Sequence, residues 1–343
     1  MHGGDIYRND VELDFSVNIN PFGIAENVKA AALNAMERAE NYPDINCGEL
    51  RTALAEKLDI SKESIIFGNG ASELFNALLL ALRPEKTIVA EPSFTGYRRA
   101  VKAAGSALKI YYLSVENDFS LDEAFLEELD RDIDLIILAN PNNPTGKMID
   151  PELLERIIKK AGENGTKILL DECFMTLSGK NRTDSLLRRT EEFPNLWLVR
   201  SFTKTFAIPG LRLGYMISSD KVLIDKVSLC LGEWNVSVVA QEAGLAALEA
   251  DDYLKKTIEF ISSERLWLVD ELKKIGYNVI DSEADFIMFR ADKGLDRKLL
   301  GYKILIRNCE DYPGLDESWY RIAVKKHEDN LRLLKIMSGK KTG

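Results

Sequence analysis

Lys204 lies in SFTKTFAIPGLRLGY (201–215), among hydroxyl and apolar side chains rather than among surface charges. Burial and a nearby cation such as Arg212 push an amine's pKa down, and a neutral amine attacks carbonyl carbon. Ser201 and Thr203 place hydroxyls beside it. Asp171 ends the apolar run KILLD (167–171), ahead of Glu172, Cys173 and Phe174. A carboxylate there needs a partner, because an isolated buried charge is costly. A cationic ring nitrogen would serve, and so would a helix N-terminus. NPNNPTG (140–146) holds two X-Pro units and is stiff enough to aim the Asn143 amide at a ligand oxygen. In GNGASE (68–73) the glycines let backbone approach closely, and N–H groups at the start of a helix hold phosphate. Alone, that stretch also reads as a plain tight turn. It is not a dinucleotide fingerprint, since Glu73 stands where the third glycine belongs, and the chain contains no GxxxxGK[ST].

These groups need a scaffold that brings distant turns together. Seven short apolar runs suit buried strands: SIIFG (64–68), TIVAE (87–91), LKIYYL (108–113), DLIILAN (134–140), KILLDE (167–172), LWLVRSF (196–202) and LGYMIS (213–218). Near-continuous Ile, Val and Leu, without alternation, marks a sheet covered on both faces. Helical segments lie between them, the clearest being SELFNALLLAL (72–82) and PELLERIIKKAG (151–162), the latter with Pro151 in its first turn and Gly162 near its end. This alternation predicts a mainly parallel, doubly wound α/β sheet. From about residue 240 the rhythm changes. A long helical stretch (237–276) precedes the shorter strand candidates YNVI (277–280), DFIMFR (285–290), KILIR (303–307) and WYRIAV (319–324), and EDNLRLLKIM (328–337) closes with a helix. We read an arm over 1–22 outside the core, a large domain over 23–240 and a smaller α+β domain over 241–343. Ligands of open α/β sheets bind at the carboxyl ends of strands. There the turns offer an amine, a carboxylate, an amide and a phosphate cradle, which is the set that pyridoxal phosphate requires.

The bulk properties narrow the field. A chain of 343 residues fits about two domains. A net charge of -10 argues against a nucleic-acid partner, and no apolar run approaches the roughly 18 residues of a membrane span. The opening MHGGDIYRND lacks the features of a secretory signal. Cys47, Cys173, Cys230 and Cys309 form no CxxC pair, and only His2 and His327 are available, so no metal site is expected. Free thiols in the cytoplasm are the expectation.

The motifs YPD (42–44), GNGASE, EPSF (91–94), NNPTG, DECF (171–174), SFTK, GLRLGY (210–215) and RIAV (321–324), in this order, resemble those of the class I/II aminotransferase family of fold-type I pyridoxal-phosphate enzymes, over essentially the whole chain. The resemblance implies a large domain built on a mainly parallel seven-stranded sheet. It also implies that Lys204 binds the cofactor as an imine and Asp171 holds the pyridinium proton. Asn143 would bond the ring 3′-oxygen and Phe94 would stack on the ring. Ala71, Ser72, Ser201, Thr203 and Arg212 would cradle the phosphate, with Tyr42 reaching it from the other subunit of a homodimer. Arg321 would clamp a substrate carboxylate, for which a guanidinium fork is suited. Many relatives carry tyrosine where this chain has Phe174, so a hydroxyl contact to the 3′-oxygen is lost.

Two subfamilies are most similar, histidinol-phosphate aminotransferase and the threonine-phosphate decarboxylase of cobalamin synthesis. HGGDIY (2–7), DFSVNINPFG (14–23), Phe174 and ILIRNCEDYPGLDESWYRIAVK (304–325) resemble the decarboxylase more. His2 and Asn20 of the arm, with Arg307 and Arg321, are the expected substrate contacts. A cofactor-sensing regulator would need a basic DNA-binding module, for which the chain has neither length nor charge.

Overall fold

The seven apolar runs before residue 220 all become strands of one sheet. Residues 3–180 and 185–339 are the described part of this computed structural model. After a short strand β1 (Leu13–Asp14) come β2 (Ile65–Gly68), β3 (Lys86–Glu91), β4 (Ala107–Tyr112), β5 (Leu135–Ala139), β6 (Lys167–Asp171), β7 (Leu196–Ser201) and β8 (Gly214–Ile217). Helices α1 (Glu26–Ala35), α2 (Gly48–Leu58), α3 (Ala71–Leu82), α4 (Gly96–Ala103), α5 (Pro151–Asn164), α6 (Phe202–Thr205) and α7 (Lys221–Ser228) are distributed among them.

The spatial order is β2-β8-β7-β6-β5-β3-β4. Strands β3 to β7 pair in parallel, and β8 runs antiparallel to both neighbours. Parallel neighbours need crossovers, and these place helices on both faces. On one face Ile136, Leu138 and Leu170 pack with Leu154, Ile157 and Ile158 of α5. On the other Ile137, Leu169 and Trp197 pack with Leu74 and Leu78 of α3 and Val101 of α4. Double coverage is the reason the inner strands lack alternation; β4, expected as buried, is instead an edge strand with Leu108 and Tyr112 exposed. Asp150 caps α5 by accepting from the N–H groups of Glu152 and Leu153 at 3.0 and 2.9 Å. That helix runs past Gly162 and stops at Gly165, whose φ of 81° is the left-handed conformation a helix terminus favours.

The second half contains α8 (Val238–Leu248), α9 (Asp251–Lys274), β9 (Asn278–Ile280), β10 (Phe286–Arg290), α10 (Leu295–Leu300), β11 (Ile304–Leu305), β12 (Arg307–Asn308), β13 (Trp319–Ala323) and α11 (His327–Met337). The stretch expected as one helix breaks at Ala250 (φ −90°, ψ 44°), and Asp251 and Asp252 supply a fresh acidic first turn. Strands β12-β13-β10-β9 form an antiparallel sheet. The run KILIR splits, because β11 pairs in parallel with β1 while β12 turns to β13. Part of the arm therefore belongs to a core, contrary to expectation. Phe15 is fully buried with Tyr320 and Ile322, its N–H donates to Leu305 O at 2.8 Å, and its carbonyl accepts from Ala323 N–H at 2.9 Å. No described helix is long and apolar enough to cross a membrane.

Candidate active site

The strand ends of the large sheet face β12, β13 and the arm across a cavity of about 290 Å³. Lys204, Asp171, Asn143, Phe94, Ala71 and Ser72 line it. So do Ser201, Thr203, Arg212, Arg307 and Arg321.

At one end Asp171 closes β6. Its Oδ1 accepts from the Cys173 N–H at 2.8 Å and its Oδ2 from the Tyr97 hydroxyl at 2.6 Å. Burial raises the carboxyl's pKa, and the donors from Cys173 and Tyr97, with the charge of Lys204, oppose that rise. A cation held in the cavity would favour the ionised form further. Tyr97 escaped the sequence reading. Its signal is the inward stripe Tyr97, Ala100 and Val101 on α4, since a buried tyrosine hydroxyl needs an acceptor. Phe94 packs edge-on against Tyr97, centroids 5.5 Å apart. A Cβ on Gly96 would come within 2.3 Å of the Phe94 ring, so only glycine lets that ring fold back there.

At the other end the first turn of α3 presents Ala71 and Ser72. Gly70 adopts φ 81°, and a Cβ there would lie 2.3 Å from Arg212 Nη2. Arg212 itself takes φ 59°. The guanidinium thus folds over a helix N-terminus, where backbone dipole and cation attract an anion together. The Ser201 and Thr203 hydroxyls lie 2.5 Å apart and complete this wall.

Lys204 follows β7. Burial lowers its pKa, Cys173 and Asp285 oppose the change, and Arg321 and Arg212 lower it further. Asp285, also missed from sequence, precedes β10. It is 1 % exposed, and no other described residue donates a hydrogen bond to either carboxylate oxygen. Its pKa is pushed up to about 6 by burial, against the pull of Lys204, Arg321 and Lys325.

Arg307 and Arg321 are cross-strand partners in the β12–β13 ladder, so their side chains share one face. Arg321 donates to Asn143 Oδ1, and through Nη2 to Ser16 O at 2.7 Å, with its guanidinium 5.4 Å from the Phe286 ring centroid. Arg307 Nη2 donates to both oxygens of Asp311 at 2.6 and 2.9 Å, and its guanidinium lies 5.1 Å from the Tyr312 ring centroid.

One expected substrate contact is placed elsewhere, and another is undescribed. Asn20 is spent on the fold. Its amide donates to Thr205 O and Thr257 Oγ1 at 2.8 and 3.1 Å, and its oxygen accepts from Phe22 N–H. Asn18 lines the cavity instead, buried, with an Oδ1 that meets no donor among the described residues. Tyr42 is 79 % exposed, stacked on Trp234 and away from this chain's cavity. His2 lies outside the described residues. Phe174 packs edge-on against Phe286, centroids 5.0 Å apart.

The sequence profile of Aminotransferase class I and II matches residues 10–336. The chain belongs to this family. The family's members here are enzymes, both decarboxylases and aminotransferases. Threonine-phosphate decarboxylase of Salmonella typhimurium is 32% identical over 354 aligned positions, covering 100% of this chain and 97% of that one. Histidinol-phosphate aminotransferase of Clostridium acetobutylicum superposes with a TM-score of 0.89 at 30% identity, covering 95% of this chain and 98% of the other. The same fold occurs in histidinol-phosphate aminotransferase of Sinorhizobium meliloti, solved with pyridoxal 5′-phosphate (TM-score 0.86, 23% identity, 98% and 92% coverage). The cavity of this family member fits that cofactor. It has a cradle for an anion at one end, a buried carboxylate for a cationic nitrogen at the other, and a lysine with a lowered pKa between them.

Proposed function

We propose that the chain is a pyridoxal-phosphate-dependent L-threonine O-3-phosphate decarboxylase. The observation that carries this reading is the pair of guanidinium groups, Arg307 and Arg321, on one face of one ladder, both lining the cavity that Lys204 lines. Such a pair suits a small substrate with two anionic groups, here a carboxylate and a phosphate. Similarity to the Salmonella decarboxylase over the whole chain supports the same choice.

When bound, pyridoxal phosphate supplies an electron sink for a bond breaking at the substrate's α-carbon. Its phosphate would be held by the α3 N-terminus, Ser201, Thr203 and Arg212, and its ring nitrogen by Asp171. Phe94 would cover the ring face. Burial lowers the Lys204 pKa, which suits its amine to bind the cofactor's carbonyl carbon and afterwards to hold and deliver a proton at Nζ. Arg321 fixes the substrate carboxylate and Arg307 its phosphate. Held at both ends, the substrate has little freedom to rotate, and the bond to the carboxylate carbon is the one presented for cleavage. Carbon dioxide leaves the carboxylate, and Lys204 Nζ, protonated beforehand by the protons that the substrate's ammonium group gives up on binding, donates one of them to the α-carbon. Val17 and Asn18 of the arm, beside the cavity, shield that carbon from water.

The test is an assay of O-phospho-L-threonine and histidinol phosphate side by side, each with and without 2-oxoglutarate. Carbon dioxide released from O-phosphothreonine with no oxo-acid present is the expected result. Glutamate formed from histidinol phosphate plus 2-oxoglutarate, without carbon dioxide from O-phosphothreonine, would replace the decarboxylase reading with an aminotransferase.

A further inference from the structure

Arg307 is held by the loop that follows it. Asp311 grips its Nη2 and Tyr312 lies against its guanidinium, so the position of residues 309–315 sets the position of that cation. The loop is itself held from across the cavity. Arg98 of α4 donates through Nη2 to Asp311 O at 3.1 Å. Its Nε lies 3.1 Å from Glu91 Oε1, close enough for strong attraction though poorly aligned for a hydrogen bond. Glu91, the last residue of β3, is 0 % exposed, and its other oxygen accepts from the Ser93 N–H.

A carboxylate so deeply buried is an expensive device for tethering a surface arginine, and retains its charge only with a cation beside it. Burial raises the Glu91 pKa to about 7, against the N–H of Ser93 and the charge of Arg98. Its neighbour in the chain, Pro92, has its carbonyl bonded by Asn142, within the turn that carries Asn143. Arg98 also sits beside Tyr97, whose hydroxyl holds Asp171. One turn of α4 thus grips the Asp171 end of the cavity with one residue and the Arg307 end with the next.

We propose that Glu91 and Arg98 are positioning residues that tie the 309–315 loop to α4 and so fix the Arg307 guanidinium where it meets the substrate's phosphate. The inference rests on the reading of Arg307 as the phosphate contact. Glu91 orients Arg98, Arg98 holds the loop backbone, and Asp311 and Tyr312 hold Arg307. None of the first three touches substrate. A loosened Arg307 still pairs with the phosphate once substrate is bound, so loss of the tie acts on affinity and leaves the held orientation, and with it the chemical step, intact.

The experiment uses the cofactor-loaded enzyme and two probes, O-phospho-L-threonine and L-threonine, with hydrogen exchange of 309–315 as a readout independent of turnover. Arg98→Ala is expected to raise the KM for O-phosphothreonine about tenfold with kcat within twofold. Affinity for L-threonine should change less than twofold, and exchange across 309–315 should quicken. Arg98→Lys should recover part of the loss, because an ammonium still reaches one partner. The pair Glu91→Gln with Arg98→Met leaves no unpaired buried charge, so it keeps the test open if Arg98→Ala alone folds poorly. It should show the same selectivity for the phosphorylated probe. Equal losses for both probes, or unchanged exchange in 309–315, would overturn the positioning role. Arg307→Ala separates the two levels. If that variant is selective and Arg98→Ala is not, the tie is wrong and the phosphate contact stands. If Arg307→Ala spares O-phosphothreonine, both fall.

Discussion

Asparagine in place of Asp285 is expected to stabilise the protein, and to do so increasingly as pH rises. Folding buries this carboxyl without a donor from any other described residue, and its pKa climbs from an ordinary 3.8 to about 6. Between those values the unfolded chain has released a proton that the folded chain keeps. Stability from this group is therefore intact below about 4 and is lost as pH rises through about 6. At about 1.4 kcal/mol per pH unit, the interval from 3.8 to about 6 corresponds to about 3 kcal/mol. The neutral amide cannot ionise and escapes that loss. It keeps the cost of a buried polar group, which the protonated acid bears as well. The difference in unfolding free energy between Asp285→Asn and the parent should thus grow by about 3 kcal/mol from pH 4 to pH 8. Urea unfolding of the cofactor-free protein across that range measures it. Parallel pH profiles for the two proteins would refute the reasoning, because they would mean that Asp285 ionises normally and has a partner.

Four further outcomes are expected. Borohydride reduction of the cofactor-loaded protein, followed by peptide mass mapping, should place a pyridoxyl group on Lys204; label on another lysine would remove its role. Gly70→Ala puts a Cβ 2.3 Å from Arg212 Nη2 at a φ that only glycine takes easily, so cofactor affinity should fall by roughly tenfold or more, as titration will show. Tyr97→Phe strips Asp171 of a donor that holds its pKa down, so the acidic limb of the kcat/KM profile should move to higher pH; an unmoved limb would exclude Tyr97 from tuning that carboxyl. The family resemblance implies a homodimer with Tyr42 reaching the partner's cofactor, so Tyr42→Phe should weaken cofactor binding by about 1 kcal/mol. A fully active monomer in sedimentation at assay concentration would contradict it.

The strand ends were legible because the physics there is local. A continuous apolar run followed by Gly, Asp or Asn-Pro announces a covered strand and the turn beyond it, and each of the seven runs met its strand within a residue or two. The arm was not legible. Its path is set by β1 pairing with β11, some 290 residues away in sequence, and by the burial of Phe15 under β13. Nothing near Asn18 and Asn20 shows which amide the fold will consume and which it will leave facing the cavity. Tyr97 and Asp285 were missed for a related reason. A helix stripe and a lone acid before a strand look ordinary until the element opposite is known. Arg307 and Arg321 were found as strand residues, but their shared register needed the ladder itself.

That ladder works as a gauge. Directly paired residues of antiparallel strands keep their Cβ atoms about 4.5–5.5 Å apart, a separation held by backbone hydrogen bonds and scarcely adjustable. A slip of one residue would send one of the two arginines to the opposite face, and a slip of two would widen their spacing to the diagonal, about 7–8 Å, so the backbone changes this separation only in steps. On the proposed reading, strand pairing therefore fixes the two anchor points, and the 309–315 loop sets where the Arg307 guanidinium stands from its own. Longer or shorter substrates would be accommodated by the 309–315 loop that positions Arg307 and by what closes the remaining sides, chiefly Gly3 and Ser16 to Asn18 of the arm. A lineage seeking a new substrate length would leave the ladder alone and rewrite the arm and the 309–315 loop.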